Sequence, residues 1–363
     1  MSAPAALTLD LSSDVVELTA ALCDIESVSL DEGRIADAVE VAVRAVPHLE
    51  VQRVGHTIVA RTHLGRAERI VLAGHLDTVP LTSPPNLPTQ RRATPDGDVL
   101  WGRGTVDMKG GVAVALRLAH DLRAPTRDVT YVFYDAEEIA SEHNGLRRLA
   151  ESHPDLLEAD FAVLLEPTSA TVEGGCKGTL RVEVGATGVA AHSGRPWTGV
   201  NAIHAAAEIL DRLRDHEAAT VHVDGLDYHE GLSAVGIRGG TAGNVIPDRC
   251  VVTVNYRFAP DKSGAQAVAY VESLFAGYDV VVTDLADGAR PGLDRPAAQA
   301  FVAALGVPVG PKEGWTDVAR FAALGVPAVN FGPGDPLLAH KDDERCPVDQ
   351  IRACESALHR WLA

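Results

Sequence analysis

Cysteine is scarce and scattered in this 363-residue chain: Cys23, Cys176, Cys250, Cys346 and Cys354, none in a C-x-x-C pair. An odd number at irregular spacing suits neither a disulfide framework nor a structural zinc-thiolate site, so reduced thiols are expected. Positive charge is in short supply too. Thirty-two Lys and Arg stand against 50 Asp and Glu, a formal net charge of −18, which argues against nucleic acid or an anionic membrane surface as a partner. No Lys or Arg precedes Arg34, so the basic region of a secretory signal is missing. Apolar runs such as 111–116 fall far short of a membrane span. Internal repeats and low-complexity tracts are absent. A cytoplasmic protein is the expectation.

The length exceeds what one compact core usually organises, so two domains are expected. With 46% hydrophobic and 23% charged residues, the chain has the composition of a soluble globular protein. Short apolar runs at 70–73, 129–134 and 161–165 read as buried strands, with helices over 108–122 and 145–151 between them. Just past those strand ends stand Gly74-His75, Asp135-Ala136-Glu137-Glu138 and Glu166, where open α/β sheets place their sites. After Cys176 the pattern changes. A half-exposed strand at 179–187, an amphipathic helix at 200–214, a strand at 251–258, a helix at 264–275 and a strand at 280–283 give a βα(β)βαβ-like insert of about a hundred residues, the size of a small domain. The glycine-rich 287–292 segment reads as the return linker. A helix at 295–305, with Pro296 in its first turn, re-enters the first domain.

His75, Asp107, Glu138, Glu166 and His340 form a mixed nitrogen and oxygen ligand set. It suits two divalent ions, Zn²⁺ best, with Co²⁺ or Mn²⁺ as substitutes. One carboxylate must be shared if both ions are to stay close, which leaves Glu137 free to handle a proton. Asp77, two residues after His75, can orient the imidazole. Asp107 precedes a predicted helix, where its plain role is a charge favoured by the helix dipole. The glycines around it suggest instead a turn forced close to something. A dinucleotide reading of Gly102-x-Gly104 fails because Asp107 stands where the third glycine should be. Other histidines, such as His56 and His120, have no comparable setting.

Several segments recur here in fixed order: Gly74-His75-Leu76-Asp77-Thr78-Val79-Pro80, then 102–111 around Asp107, Asp135-Ala136-Glu137-Glu138, Leu165-Glu166-Pro167-Thr168, Gly188 to Arg195, Gly243-Asn244-Val245-Ile246-Pro247-Asp248, Asn330 to Gly334, and Leu338-Ala339-His340. Together they resemble the M20 metallopeptidases and, within them, the actinobacterial succinyl-diaminopimelate desuccinylases, over nearly the whole chain. The resemblance implies an α/β zinc-peptidase-like catalytic domain, residues 1–177 and 289–363, with a mixed sheet flanked by helices. It also implies an inserted α+β, ferredoxin-like dimerisation and lid domain at 178–288.

In the family pattern Asp107 bridges two metals, His75 and Glu166 complete one, and Glu138 and His340 complete the other. Glu137 is the general base, Asp77 supports the centre, and the Asp107–Met108 peptide is cis. His192 crosses the interface of a homodimer to donate to the oxyanion. Asn244 and Arg257 grip the substrate's distal end. Lys177, Thr179, Arg195 and Thr316 are weaker candidates for its carboxylates. Two departures stand out: Cys176-Lys177 replaces an arginine pair of many relatives, and 313–321 lacks the glycine-serine wording of other desuccinylases. Thr316 therefore has a second reading, as the cap of a helix start.

The implied reaction is hydrolysis of the small molecule N-succinyl-LL-2,6-diaminopimelate. Acetylornithine deacetylation, N-acyl amino acid hydrolysis and peptide cleavage share the metal centre and remain alternatives. A non-catalytic binding protein has no chemical reason to keep all six groups.

Overall fold

The computed structural model describes residues 8–363 and divides into two compact units. One runs through Gly174 and resumes at Gly292–Gly310 and Thr316–Ala363; the other is Gly175–Pro291 with Pro311–Trp315. Sequence places 175–177 and 311–315, as well as 289–291, in the first domain, and in the structure all of them belong to the second unit. Cys176 bridges to Ala289, Glu313 pairs with Lys177, and the Trp315 indole N–H donates to the Asp287 carbonyl. These contacts hold the short segments in the second unit.

The first unit is built on an eight-stranded mixed sheet. Its centre is parallel: Arg69–His75 lies between Asp128–Tyr134 and Phe161–Leu164, and Ala328–Asn330 continues the run. Antiparallel strands flank it, Thr57–Arg61 and Glu50–Val54 on one side and Val172–Gly174 on the other. The central strands are buried on both faces, which is why their sequences are continuous apolar runs rather than alternating ones.

The helix Lys109–Asp121 buries ten of its thirteen residues. Gly111 permits this, since a Cβ there would lie 2.2 Å from the Leu165 carbonyl oxygen. That close approach sets the start of the helix beside the strand end that carries Glu166. The helix begins at Lys109 with Met108 as its N-cap residue, so Asp107 stands one residue before the cap and no side chain caps the helix.

The second unit has a four-stranded antiparallel sheet in the order Gly231–Gly239, Arg249–Phe258, Gly178–Thr187, Asp279–Ala286. With helices Ala207–Arg214 and Gly264–Leu274, this is the expected ferredoxin-like order. Leu180, Val182, Val252, Val254, Tyr256, Phe258, Ile209 and Val271 share its core. The expected helix at 200–214 starts later and breaks into Ala202–Ala205 and Ala207–Arg214. Val200 is paired with Val189 through two main-chain hydrogen bonds, and the Asn201 side chain accepts from Ile203 N–H and His204 N–H, fixing the start at Ala202. A hairpin, Thr220–Val223 with Leu226–His229, has no counterpart in the sequence reading. Among the described residues no helix is long and apolar enough to cross a membrane.

Candidate metal centre

Segments at the C-terminal ends of the parallel strands bring His75, Glu138, Glu166 and His340 together, and the turn after the antiparallel strand Gly97–Trp101 adds Asp107, giving two ligand groups. His75, Asp107 and Glu166 form one; Asp107, Glu138 and His340 form the other. His75 is the last residue of its strand. Its Nδ1 lies 3.0 Å from the Asp77 carbonyl oxygen and its Nε2 3.1 Å from Asp107 Oδ1. An imidazole that donates Nδ1–H to a carbonyl presents a lone pair from Nε2, and a lone pair facing a carboxylate at that distance calls for a cation between them. The second oxygen of Asp107 lies 3.4 Å from His340 Nε2, which also approaches Glu138 Oε2 at 2.9 Å. Each oxygen of Asp107 thus faces a different histidine, the disposition required of a shared ligand. The Asp107–Met108 peptide is cis, as the resemblance implies.

Electrostatics agree with a site for cations. Burial works against a charged His75, yet the carboxylates of Asp107 and Asp77 pull its pKa well above the ordinary range. Hydrogen bonds to Asp107 and Glu138 push His340 up to about 10. Burial holds the Glu137 carboxyl well above its usual value, reinforced by Glu166, Glu138 and Asp317 and opposed by His75. Burial, with Asp107 alongside, raises Glu138 as well. Crowded acids held this high are what divalent cations would relieve, so the residues present fit two such ions.

The turn that carries Glu137 and Glu138 is held by its main chain. N–H groups of Glu137 and Glu138 donate to Asp77 Oδ1 and Oδ2 at 3.0 and 3.1 Å. Ala136, at φ 57°, donates to Glu32 Oε1 at 3.1 Å. Ser29 Oγ donates to Asp77 Oδ2 at 2.7 Å. Asp77 therefore does more than orient His75, whose nearer acceptor is the Asp77 carbonyl. Sequence reasoning missed Ser29, Glu32 and the buried Glu344, which sit outside every motif. Burial pushes the Glu344 carboxyl up to about 7, with the Val106 N–H pulling it down, Asp107 raising it and Arg103 lowering it.

Thr316 does not cap the helix Val318–Ala323. Asp317 stands at its N-cap, and the Thr316 hydroxyl is buried and donates to Asn330 Oδ1 at 2.9 Å.

The remaining expected site residues lie in the second unit. Exposed His192 accepts the Gly194 N–H on Nδ1 at 2.9 Å, which places the proton of a neutral ring on Nε2. Asn244 is exposed, and its carbonyl accepts the Ser193 N–H. Arg195 is exposed in the same loop. Arg257 and Thr179 are direct partners across two strands. Burial, with Arg181 alongside, lowers the pKa of the Arg257 guanidinium. Lys177 is already engaged, by Glu313 at 2.6 Å and the His229 carbonyl at 2.5 Å.

Two ligand groups sharing one carboxylate, with an unshared glutamate beside them, have the chemistry of a dinuclear metallohydrolase. The family model described as Peptidase family M20/M25/M40 matches residues 71–363, and the chain belongs to that family. A Mycobacterium tuberculosis protein provisionally named as a succinyl-diaminopimelate desuccinylase is 55% identical over 98% of this chain and 99% of its own length. The Corynebacterium glutamicum succinyl-diaminopimelate desuccinylase is 43% identical over 98% of each chain. Among solved structures, a Staphylococcus aureus tripeptidase shares the fold at TM-score 0.79 and 19% identity, covering 98% of both chains.

Proposed function

We infer that the chain is a metal-dependent amide hydrolase that converts N-succinyl-LL-2,6-diaminopimelate to succinate and LL-2,6-diaminopimelate. The observation that carries this reading is end-to-end similarity to the Corynebacterium glutamicum desuccinylase. His75, Asp107 and Glu166 would hold one ion, and Asp107, Glu138 and His340 the other, with Zn²⁺ best suited to the donor set. Bound there, the ions supply Lewis-acid polarisation of the amide carbonyl and a lowered pKa for the attacking water. Glu137 accepts a proton from that water as the new C–O bond forms, then delivers it to the amide nitrogen as the C–N bond breaks.

A homodimer through the second unit completes the proposal, with His192 of one subunit donating from Nε2 to the oxyanion formed in the other. Supporting it, Val235 and Ile237 on the edge strand Gly231–Gly239 are 59% and 55% exposed, and Ile203 and Leu210 on the neighbouring helices are exposed as well. An apolar edge of this kind is a natural isologous interface. Asn244 and Arg257 are assigned to the substrate's distal end, with Thr179, Arg195 and Thr316 as further contacts. Arg257 suits a carboxylate better than Lys177, whose charge Glu313 already meets. A cytoplasmic location follows from a biosynthetic role with reduced thiols.

A second reading is acetylornithine deacetylation, since a Myxococcus xanthus acetylornithine deacetylase is 32% identical over 82% of this chain and 80% of its own length. Steady-state kcat/KM on N-succinyl-LL-2,6-diaminopimelate and N-acetylornithine separates the two. A site built to hydrogen-bond the succinyl carboxylate should favour the first by about 10²-fold or more; faster turnover of N-acetylornithine would overturn the assignment.

A further inference from the structure

Glu344 lies four residues after His340 and is 1% exposed. Its Oε1 accepts the main-chain N–H groups of Val106 at 3.0 Å and Asp107 at 3.2 Å. Its Oε2 accepts Arg103 Nη1 at 2.7 Å, and Arg103, itself 4% exposed, also donates to the Lys341 carbonyl at 3.3 Å. The Glu344 carbonyl in turn accepts the Gly102 N–H at 3.0 Å. Two segments distant in sequence, 102–107 and 341–344, are therefore joined along their length by one buried carboxylate and one buried guanidinium. They are also the segments that deliver Asp107 and His340.

Burying a charge is unfavourable unless it is paired and fully hydrogen-bonded. Glu344 meets that condition with three donors, and each of them lies on the Asp107 loop. A carboxylate whose only task was to fill space would be replaced more cheaply by an apolar side chain. We propose that Glu344 is a positioning residue that fixes the separation of Asp107 and His340, and so governs affinity for the ion held by Asp107, Glu138 and His340. His75 and Glu166 are placed by strand ends instead, so the other ion depends on Glu344 only through their common Asp107. This inference rests on the two-ion reading of the centre.

The test is Zn²⁺ stoichiometry and affinity of the full chain, stripped with a chelator and titrated by equilibrium dialysis with Zn²⁺ alone. Wild type binds two ions. Glu344→Gln keeps one near its wild-type affinity and binds the second about 10–100-fold more weakly, the range seen when a partner behind a ligand is lost. Adding His340→Ala to Glu344→Gln abolishes binding of the already weakened ion and leaves the other near its wild-type affinity, because both changes act on one ion. Asp128→Asn is the control for general destabilisation, since Asp128 is a buried carboxylate bonded to Thr62, Leu64 and Arg66, none of them on a ligand segment. It should bind both ions normally. If Glu344→Gln does not fold, Arg103→Lys carries the test: it keeps the charge on a shorter side chain without the rigid guanidinium plane, and should weaken the same ion by a smaller factor. Two normally bound ions in the folded variant, or equal loss in Asp128→Asn, would overturn the proposal. Fewer than two ions in wild type would overturn the two-ion reading, and this inference with it.

Discussion

The main-chain N–H of Glu137 donates to Asp77 Oδ1 at 3.0 Å. The carboxylate two residues past His75 thereby grips the turn that carries Glu137, the base proposed above, and its other oxygen takes the N–H of Glu138. One residue thus positions His75 and the Glu137–Glu138 turn together, and these main-chain N–H donors offset the burial of its charge.

Asp77→Asn leaves only one oxygen to accept from two N–H groups and sets an amide N–H against the other. We expect kcat to fall about 10–100-fold with KM little changed and two ions still bound. Steady-state kinetics with metal content measured on the same samples checks this; unchanged kcat would remove Asp77 from the supporting role.

Gly111→Ala would ordinarily strengthen a helix interior. Here the new methyl meets the Leu165 carbonyl, so the variant should be destabilised by about 1–3 kcal/mol. Urea unfolding measures it, and a more stable variant would contradict the close packing of this helix on the strand end next to Glu166.

Much of this was legible in the sequence, for identifiable reasons. The strands 69–75, 128–134 and 161–164 announce themselves because burial on both faces demands unbroken apolar runs, and the ligands follow the strand ends directly. His340 was legible only through family resemblance, because its loop has no periodicity. Strand Gly231–Gly239 had no visible signal: it is a glycine-rich, exposed sheet edge with a bulge at Ala234/Gly236, so neither alternation nor burial marks it. Glu32 and Glu344 stayed hidden because they accept from backbone N–H groups, and Ser29 because its hydroxyl donates to the Asp77 carboxylate from a distant segment; such contacts leave no spacing rule in the side-chain pattern. Thr316 misled as a cap because a buried hydroxyl found Asn330 instead.

If His192 acts across a homodimer, mixing His192→Ala subunits with Glu137→Gln subunits yields heterodimers in which one site carries both defects and the other carries neither. Activity of the mixture should recover to a sizeable fraction of wild type once subunit exchange is demonstrated. Sedimentation before mixing should show a dimer. No recovery after proven exchange would mean that His192 serves its own chain or takes no part in catalysis.

The most direct test of the account is the hydrolysis of N-succinyl-LL-2,6-diaminopimelate by Glu137→Gln with its metal content measured alongside. The substitution removes the proton acceptor and no ligand. Two ions should therefore remain bound while kcat falls by at least about 10²–10⁴-fold. A fully metallated variant that keeps more than about half of wild-type turnover, against that 10²-fold minimum, would contradict the assignment of Glu137 and the proton path built on it.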